Sequence, residues 1–301
     1  MKNKTIQSDL FLLLTSAIWG LAFVAQLKGM EFIGPYLYNG IRFLLGAISL
    51  FPLILFIKKK RNKAGYKMAA ISKKKIFLSS SLAGVVLFTG ASLQQVGLQY
   101  TTAGKAGFIT GLYVVLVPLL GILLKHRTSF FTWLGALSAV VGLYLISVKK
   151  GEGIGYGDLL VLISSLFFAF HVLTIDYFSK RIEPVLLASL QFIWCGVLSL
   201  IVAINMEVIA LDSIIKATIP ILYGGLGSVG IAYTLQVIAQ KNAPPAHASI
   251  IMSFESVFAV IGGAIFLSEG MTPRGIVGCV FMFLGMILSQ WDLLFNKNIT
   301  R

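Results

Sequence analysis

The sequence predicts an all-α integral membrane protein: ten transmembrane helices in two inverted five-helix repeats, with both termini in the cytoplasm. Three observations lead there. Of 301 residues, 57% are hydrophobic and only 12% charged, about half the charge of an ordinary soluble domain, and the mean hydropathy is +0.89. A soluble core of this length has no room for so much apolar surface, whereas a bilayer has. The apolar residues fall into ten runs, and the basic residues between them are distributed unequally on the two sides. The second five runs also repeat the first five at a nearly constant offset.

A helix needs about 20 apolar residues to cross the hydrocarbon core. Runs at 10–28, 36–57, 76–98, 105–124, 130–148, 158–178, 184–204, 218–240, 246–267 and 274–294 qualify. The first run, behind Lys2 and Lys4, has the outline of a signal peptide. It is long enough to span and has a partner later in the chain, so it is expected to be a retained helix. The short loops make neighbouring helices antiparallel. The loop 58–75 carries nine basic residues, Lys58, Lys59, Lys60, Arg61, Lys63, Lys67, Lys73, Lys74 and Lys75, and no acid. The positive-inside rule puts it in the cytoplasm. With ten spans, that side collects 18 of the 25 Lys and Arg, and the other side has Lys28, Lys105, Lys149, Lys150, Lys216 and Arg274. The formal net charge of +14 is therefore read as orientation and contact with anionic lipid, not as nucleic-acid binding. Cys195 and Cys279 lie inside apolar runs without metal-like spacing.

An offset of 149 aligns Asp9 with Asp158, Ser16 with Ser165, Trp19 with Phe168, Pro35 with Pro184 and Arg42 with Gln191. An offset of 141 to 143 then aligns Gln95 with Gln236, Ala106 with Ala248, Gly121 with Gly263, Gly135 with Gly278 and Gly142 with Gly285. This divides the chain into repeats at 1–148 and 149–301. A unit with five spans reverses direction when it is repeated, so the halves are expected to be related by a two-fold axis in the membrane plane. That arrangement lets a site between them face each side in turn.

Several segments carry a family resemblance: Ser16-Ala17-Ile18-Trp19-Gly20, Asn39-Gly40-Ile41-Arg42-Phe43, the stretch 93–110 (LQQVGLQYTTAGKAGFIT), Glu255-Ser256-Val257-Phe258-Ala259 and Ser268-Glu269-Gly270. In these the chain resembles the drug/metabolite transporter superfamily, in its EamA-like branch. The resemblance covers both halves. It implies a basket of ten helices in which the first, third, fourth, sixth, eighth and ninth line a central cavity and the fifth and tenth are peripheral. It also implies export of amino acids, metabolites or toxic compounds. One position departs from the pattern. The family often has a proline after the ninth-helix glutamate, where this chain has Ser256, so a proline kink is not expected there.

Ionisable residues within a bilayer are functional candidates by default. Arg42 suits a substrate carboxylate, or pairs structurally with Glu255 or with helix-end carbonyls. Glu255 shares a mostly small face with Ala248, Met252, Ala259 and Gly262; it can bind a cation, carry a proton or sit in a fixed ion pair. His171 can titrate, or simply bond between helices. Trp19, Gln95, Tyr113, Tyr233 and Gln236 would add aromatic walls and polar handles suited to small zwitterions or aromatic solutes; for each, interhelical packing is the plainer alternative. Gly224, Gly225, Gly227 and Gly230 crowd the eighth helix, Pro118 interrupts the fourth, and the glycines seven apart in the fifth and tenth helices mark packing seams. Asp158 and Asp176 are expected within reach of water. No HExxH, GxSxG or P-loop pattern occurs.

The expectation is a transporter and not an enzyme, without cofactor or metal. It would move a small metabolite or amino acid by alternating access, with proton coupling and a homodimer both left open. The rival readings are a polytopic enzyme or lipid-handling protein, which should show a cluster of acids, histidines or a nucleophile at one membrane face, and a scaffold or sensor, for which no soluble effector segment is present.

Overall fold

A computed structural model describes residues 2–63, 72–125, 128–147, 154–266, 273–289 and 291. Lys67, Arg127, Lys149, Lys150, the Ser268-Glu269-Gly270 motif, Lys297 and Arg301 lie outside them, as do the side chains of Lys2, Lys4, Arg61 and Lys63. Among the described residues there is no strand. The long helices are α1 (Lys2–Met30), α2 (Pro35–Lys60), α3 (Lys73–Tyr100), α4 (Ala103–Leu123), α5 (Phe130–Ser147), α6 (Tyr156–Ser179), α7 (Pro184–Met206), α8 (Thr218–Gln240), α9 (Pro245–Phe266) and α10 (Pro273–Ser289). Eight are long and apolar enough to cross a membrane, while α5 and α10 are apolar but shorter, at 18 and 17 residues. Their outward faces carry residues such as Ile48, Phe51, Leu137, Ile204 and Phe283, all exposed, as a lipid-facing surface requires.

Polar chemistry at the helix ends ties the bundle together. The helices α2 and α7 run antiparallel, with Gly40 against Leu200 and Gly196 against Leu44. Both begin with proline, at Pro35 and Pro184, whose missing N–H is no loss in a first turn. The first free N–H groups of α7 donate to its own N-cap, Val185 N to Glu183 Oε1 (3.2 Å) and Leu186 N to Glu183 Oε2 (2.7 Å). At the matching position α2 has Gly34, and a Cβ there would collide with the Glu207 carboxylate. The space admits that carboxylate from the end of α7, and it accepts from Tyr36 N and Leu37 N at 2.8 Å each. A carboxylate placed on a helix N-terminus also meets the positive end of the dipole.

The α5–α10 pair is the peripheral seam expected from its glycines. A Cβ on Gly135 would lie 2.6 Å from the Gly285 carbonyl oxygen, and one on Gly142 would lie 2.6 Å from that of Gly278. Each glycine therefore faces the repeat mate of the other, as in a two-fold contact. The remaining packing follows the same rule. Helices α1 and α8 touch, as do their mates α6 and α3; α1 packs on α9, and α6 on α4; α2 packs on α8, and α7 on α3.

The two aspartates expected to be wet are buried instead. Asp158 is 4% exposed and pairs with Lys105; Asp176 is 5% exposed and pairs with Lys180. Each lies a turn inside a helix end, where a lysine reaches it before water does.

Replacing Gly135 by leucine should destabilise the protein by about 1–3 kcal/mol, through overpacking at a backbone contact. The unfolding midpoint in detergent checks this. Gly104→Ala, whose nearest neighbour would be Val260 at 3.9 Å, should leave the midpoint in place or raise it.

Candidate functional site

Two helices are broken near mid-bundle, at corresponding places. The helix α4 is interrupted at Leu112, between Ala103–Gly111 and Tyr113–Leu123; α9 is interrupted at Ser253 and Phe254, between Pro245–Met252 and Glu255–Phe266. Leu112 N bonds Ile109 O and Phe254 N bonds Ile251 O, both at 3.2 Å. All four residues are mates at an offset of 142. Tyr113 and Glu255, also mates, each open the segment after the break. In a membrane an irregular backbone is tolerated only where it is enclosed in protein or lines a cavity. The α9 break forms without a proline after Glu255: Ser256 stands there and donates to Gly107 O across the repeat boundary, at 2.7 Å.

A third distortion lies in α8. Residues Tyr223–Tyr233 form a π-helix of 11 residues holding Gly224, Gly225, Gly227 and Gly230. Such wide turns are rare and are frequent at functional sites. Three bonds strap it to α1: Trp19 Nε1 to Ser228 O (3.3 Å), Thr15 Oγ1 to Ala232 O (3.1 Å) and Tyr223 Oη to Ile18 O (2.9 Å).

The three distortions surround one cavity. Its lining includes Trp19, Arg42, Tyr113, His171, Tyr233, Gln236 and Glu255, seven of the eight residues chosen from the sequence. The eighth, Gln95, is fully buried, and neither of its amide atoms has a partner. Its neighbour Gln94 lines the cavity instead and donates to Thr110 Oγ1 at 2.9 Å. The offset of 142 that mates Tyr113 with Glu255 also mates Gln94, not Gln95, with Gln236. Applied consistently, it finds the right residue.

The same offsets organise most of the lining. Trp19 and Phe168, Ala22 and His171, and Phe23 and Val172 are mates at 149; Gln94 and Gln236, Thr110 and Met252, and Tyr113 and Glu255 are mates at 142. Six mate pairs thus meet across one space. Gln26, Arg42, Ser228 and Tyr233 join them without mates in the lining. Gln26, Ser228 and Thr110 were missed because neither charge nor aromaticity marks them, and Phe23 and Phe168 because phenylalanine is common in any apolar helix.

Tyr233 is the aromatic hub. Its ring centroid lies 4.4 Å from Trp19, 5.8 Å from Phe43, 6.0 Å from Phe192 and 6.1 Å from His171. Arg42 is 2% exposed; its Nε donates to Asn39 Oδ1 (2.9 Å), and its guanidinium lies 4.9 Å from the Phe43 ring centroid and 5.5 Å from that of Tyr38. Among the described residues it makes no ion pair with Glu255, so the fixed pair considered from the sequence is absent. His171 Nε2 sits 2.9 Å from Gln191 Oε1, the interhelical bond weighed as its plainer role. The Tyr113 hydroxyl approaches the Glu255 carboxyl without reaching hydrogen-bonding geometry. Tyr113 Oη, Glu255 Oε1, Gln236 Oε1 and Gln26 Oε1 are all buried without a partner, which a buried polar atom rarely tolerates. The cavity is contracted, about 30 Å³, space for one or two waters.

The EamA-like transporter family model matches the chain twice, over residues 6–148 and 155–291. The chain belongs to that family. A relative from Archaeoglobus fulgidus, named only an uncharacterized transporter, is 30% identical over 95% of this chain and 86% of its own length. Uncharacterized transporter YoaV of Bacillus subtilis is 24% identical over 91% of this chain and 93% of its own. A solved structure described only as a crystal structure of protein shares 16% identity and the fold, with a TM-score of 0.73 over 95% of this chain and 96% of that one. This EamA-type chain is a multi-pass protein of the cell membrane, and its activity is transport of a small molecule.

Gln94→Leu should reduce transport. Gln95→Leu should spare it and raise the unfolding midpoint, because it removes an unpaired buried amide that costs on the order of 1–3 kcal/mol. Paired transport and melting measurements on the two variants check the assignment.

Proposed function

We propose that this EamA-type protein exports amino acids or closely related zwitterions by alternating access, and that its units are two inverted five-helix repeats, 1–148 and 149–301. In this reading all ten helices span the membrane and both termini are cytoplasmic, an orientation supported by the basic loop between α2 and α3. The observation that carries the reading is the set of six mate pairs around one cavity. A site on the axis relating the halves is equally reachable from both sides, which alternating access requires.

Substrate class follows from the unsatisfied atoms. Gln236 Oε1 and Gln26 Oε1 are acceptors without donors, and Glu255 Oε1 has only the nearby Tyr113 hydroxyl; an ammonium group would supply donors to all three. The Arg42 guanidinium is the matching donor for a carboxylate. Trp19, Phe168 and Tyr233 wall the space between with apolar surface. With room for one or two waters, the present conformation holds no amino acid, so loading requires the helices to part. Glu255 is also the acid that would carry a proton, in exchange for the substrate's ammonium.

A metabolite efflux screen in overproducing cells, followed by flux assays in proteoliposomes, tests the reading. Arg42→Gln and Glu255→Gln should each lower amino-acid flux about tenfold to a hundredfold, the loss of one charged hydrogen bond. Residual flux in Glu255→Gln should no longer vary with pH, while that in Arg42→Gln should. Flux of no tested zwitterion, or unchanged pH dependence in Glu255→Gln, would refute the substrate class or the proton role respectively. Reporter fusions at the two ends should both report from the cytoplasmic side.

A further inference from the structure

Two acid–base contacts near opposite ends of the bundle are mates of one another, one an Asp–Lys ion pair and the other an Asp–His contact that is ionic when the imidazole carries a proton. Near the start of α1, Asp9 Oδ1 lies 2.9 Å from His247 Nε2 in the first turn of α9. Near the start of α6, Asp158 Oδ2 lies 2.6 Å from Lys105 Nζ in the first turn of α4. Asp9 and Asp158 are separated by 149 residues, Lys105 and His247 by 142, the offsets that pair the cavity lining. Each contact joins an acid of one repeat to a base of the other. In each, one partner is almost fully buried and the other about one-fifth exposed: 3% and 19% for His247 and Asp9, 4% and 18% for Asp158 and Lys105. Each also has a neutral support. Ser289 Oγ sits 3.3 Å from His247 Nδ1, and Thr101 Oγ1 donates to Asp158 Oδ1 at 2.7 Å.

The helices joined by these contacts are four of the seven that line the cavity. Parting α1 from α9 at one membrane face would separate Asp9 from His247. Parting α6 from α4 at the other face would separate Asp158 from Lys105. We propose that the two contacts are the latches of the two gates, one per face, related by the repeat and opened one at a time. Both contacts are made here, and the cavity between them is about 30 Å³. Because each latch spans the repeat boundary, the movement of one half against the other opens one while keeping the other shut. A pair held away from water resists separation more than a surface pair does, so each latch sets the population open to its own side. This inference rests on the alternating-access reading and adds the residues that decide which side is open.

The test uses the full chain in sealed vesicles of both orientations, in a background with Cys195 and Cys279 replaced by alanine. Ser228→Cys, in the cavity lining, reports access to a membrane-impermeant thiol reagent. Asp158→Asn should raise labelling about tenfold from the face bearing Asp158 and Lys105, and Asp9→Asn should raise it similarly from the opposite face. Exchanging the charges, Asp158→Lys with Lys105→Asp, should return labelling to the parent rate. Should Asp158→Asn not fold, Lys105→Gln breaks the same latch. Labelling unmoved by either variant, or raised by both from the same face, would overturn the proposal. Amino-acid exchange by the parent is measured alongside. Exchange with sidedness unmoved by the variants rejects the latches alone; sidedness moved in a parent that exchanges nothing rejects the substrate reading and keeps the latches.

Discussion

A chain in hydrocarbon must satisfy its own backbone, because no water is there to do it. The fold follows from that constraint and so does the location of the site. Continuous helices meet it by default, and most of this chain consists of them. Departures are tolerated only in an enclosed setting, and those at Leu112 in α4, at Ser253–Phe254 in α9 and along Tyr223–Tyr233 in α8 surround one cavity, while a further break, at Leu50 in α2, is buried outside its lining. The freed groups are used. The π-helix carbonyls of Ser228 and Ala232 accept from Trp19 and Thr15, and Ser256 bridges to the backbone of α4.

The second organising fact is that the two halves share helix order and the α4 and α9 breaks but differ in chemistry, and that the π-helix of α8 has no counterpart in α3. The breaks in α4 and α9 share the same backbone bond, yet the residue after one is Tyr113 and after the other Glu255. Arg42 in α2 has Gln191 as its mate in α7, and Gln191 serves His171. Gly34 and Glu183 cap equivalent helices by opposite means, one by leaving room for a carboxylate from elsewhere and the other by supplying it. Unequal chemistry gives the shared cavity an acidic wall and a basic one.

Much of this was legible in the sequence because hydropathy, loop charge and repeat offset are additive signals spread over many residues. Class, helix positions and the peripheral α5–α10 seam follow from them. Seven of the eight chosen site residues line the cavity because ionisable and aromatic groups inside a bilayer are rarely placed without use. Gln95 missed by one residue: a helical step of about 100° separates it from Gln94, and an offset drifting between 141 and 143 cannot resolve such a step. Asp158 and Asp176 looked wet because distance along the chain from a helix end says nothing of the lysine folded over it. The π-helix was invisible too, since its glycines signal close packing equally well. The bonds to Thr15, Ile18 and Trp19 that hold the wide turn reach it from distant sequence.

The account stands on the halves moving reciprocally about a cavity on their common axis. Spin labels at the exposed positions Gln7 and Asn242 measure the α1–α9 end, and labels at Thr102 and Tyr156 measure the α4–α6 end. Electron–electron distance distributions, recorded across a series of substrate and pH conditions, should change in opposite senses: wherever the long-distance population grows at one end, it should shrink at the other. Two ends that open together, or that keep fixed distances while flux proceeds, would contradict it.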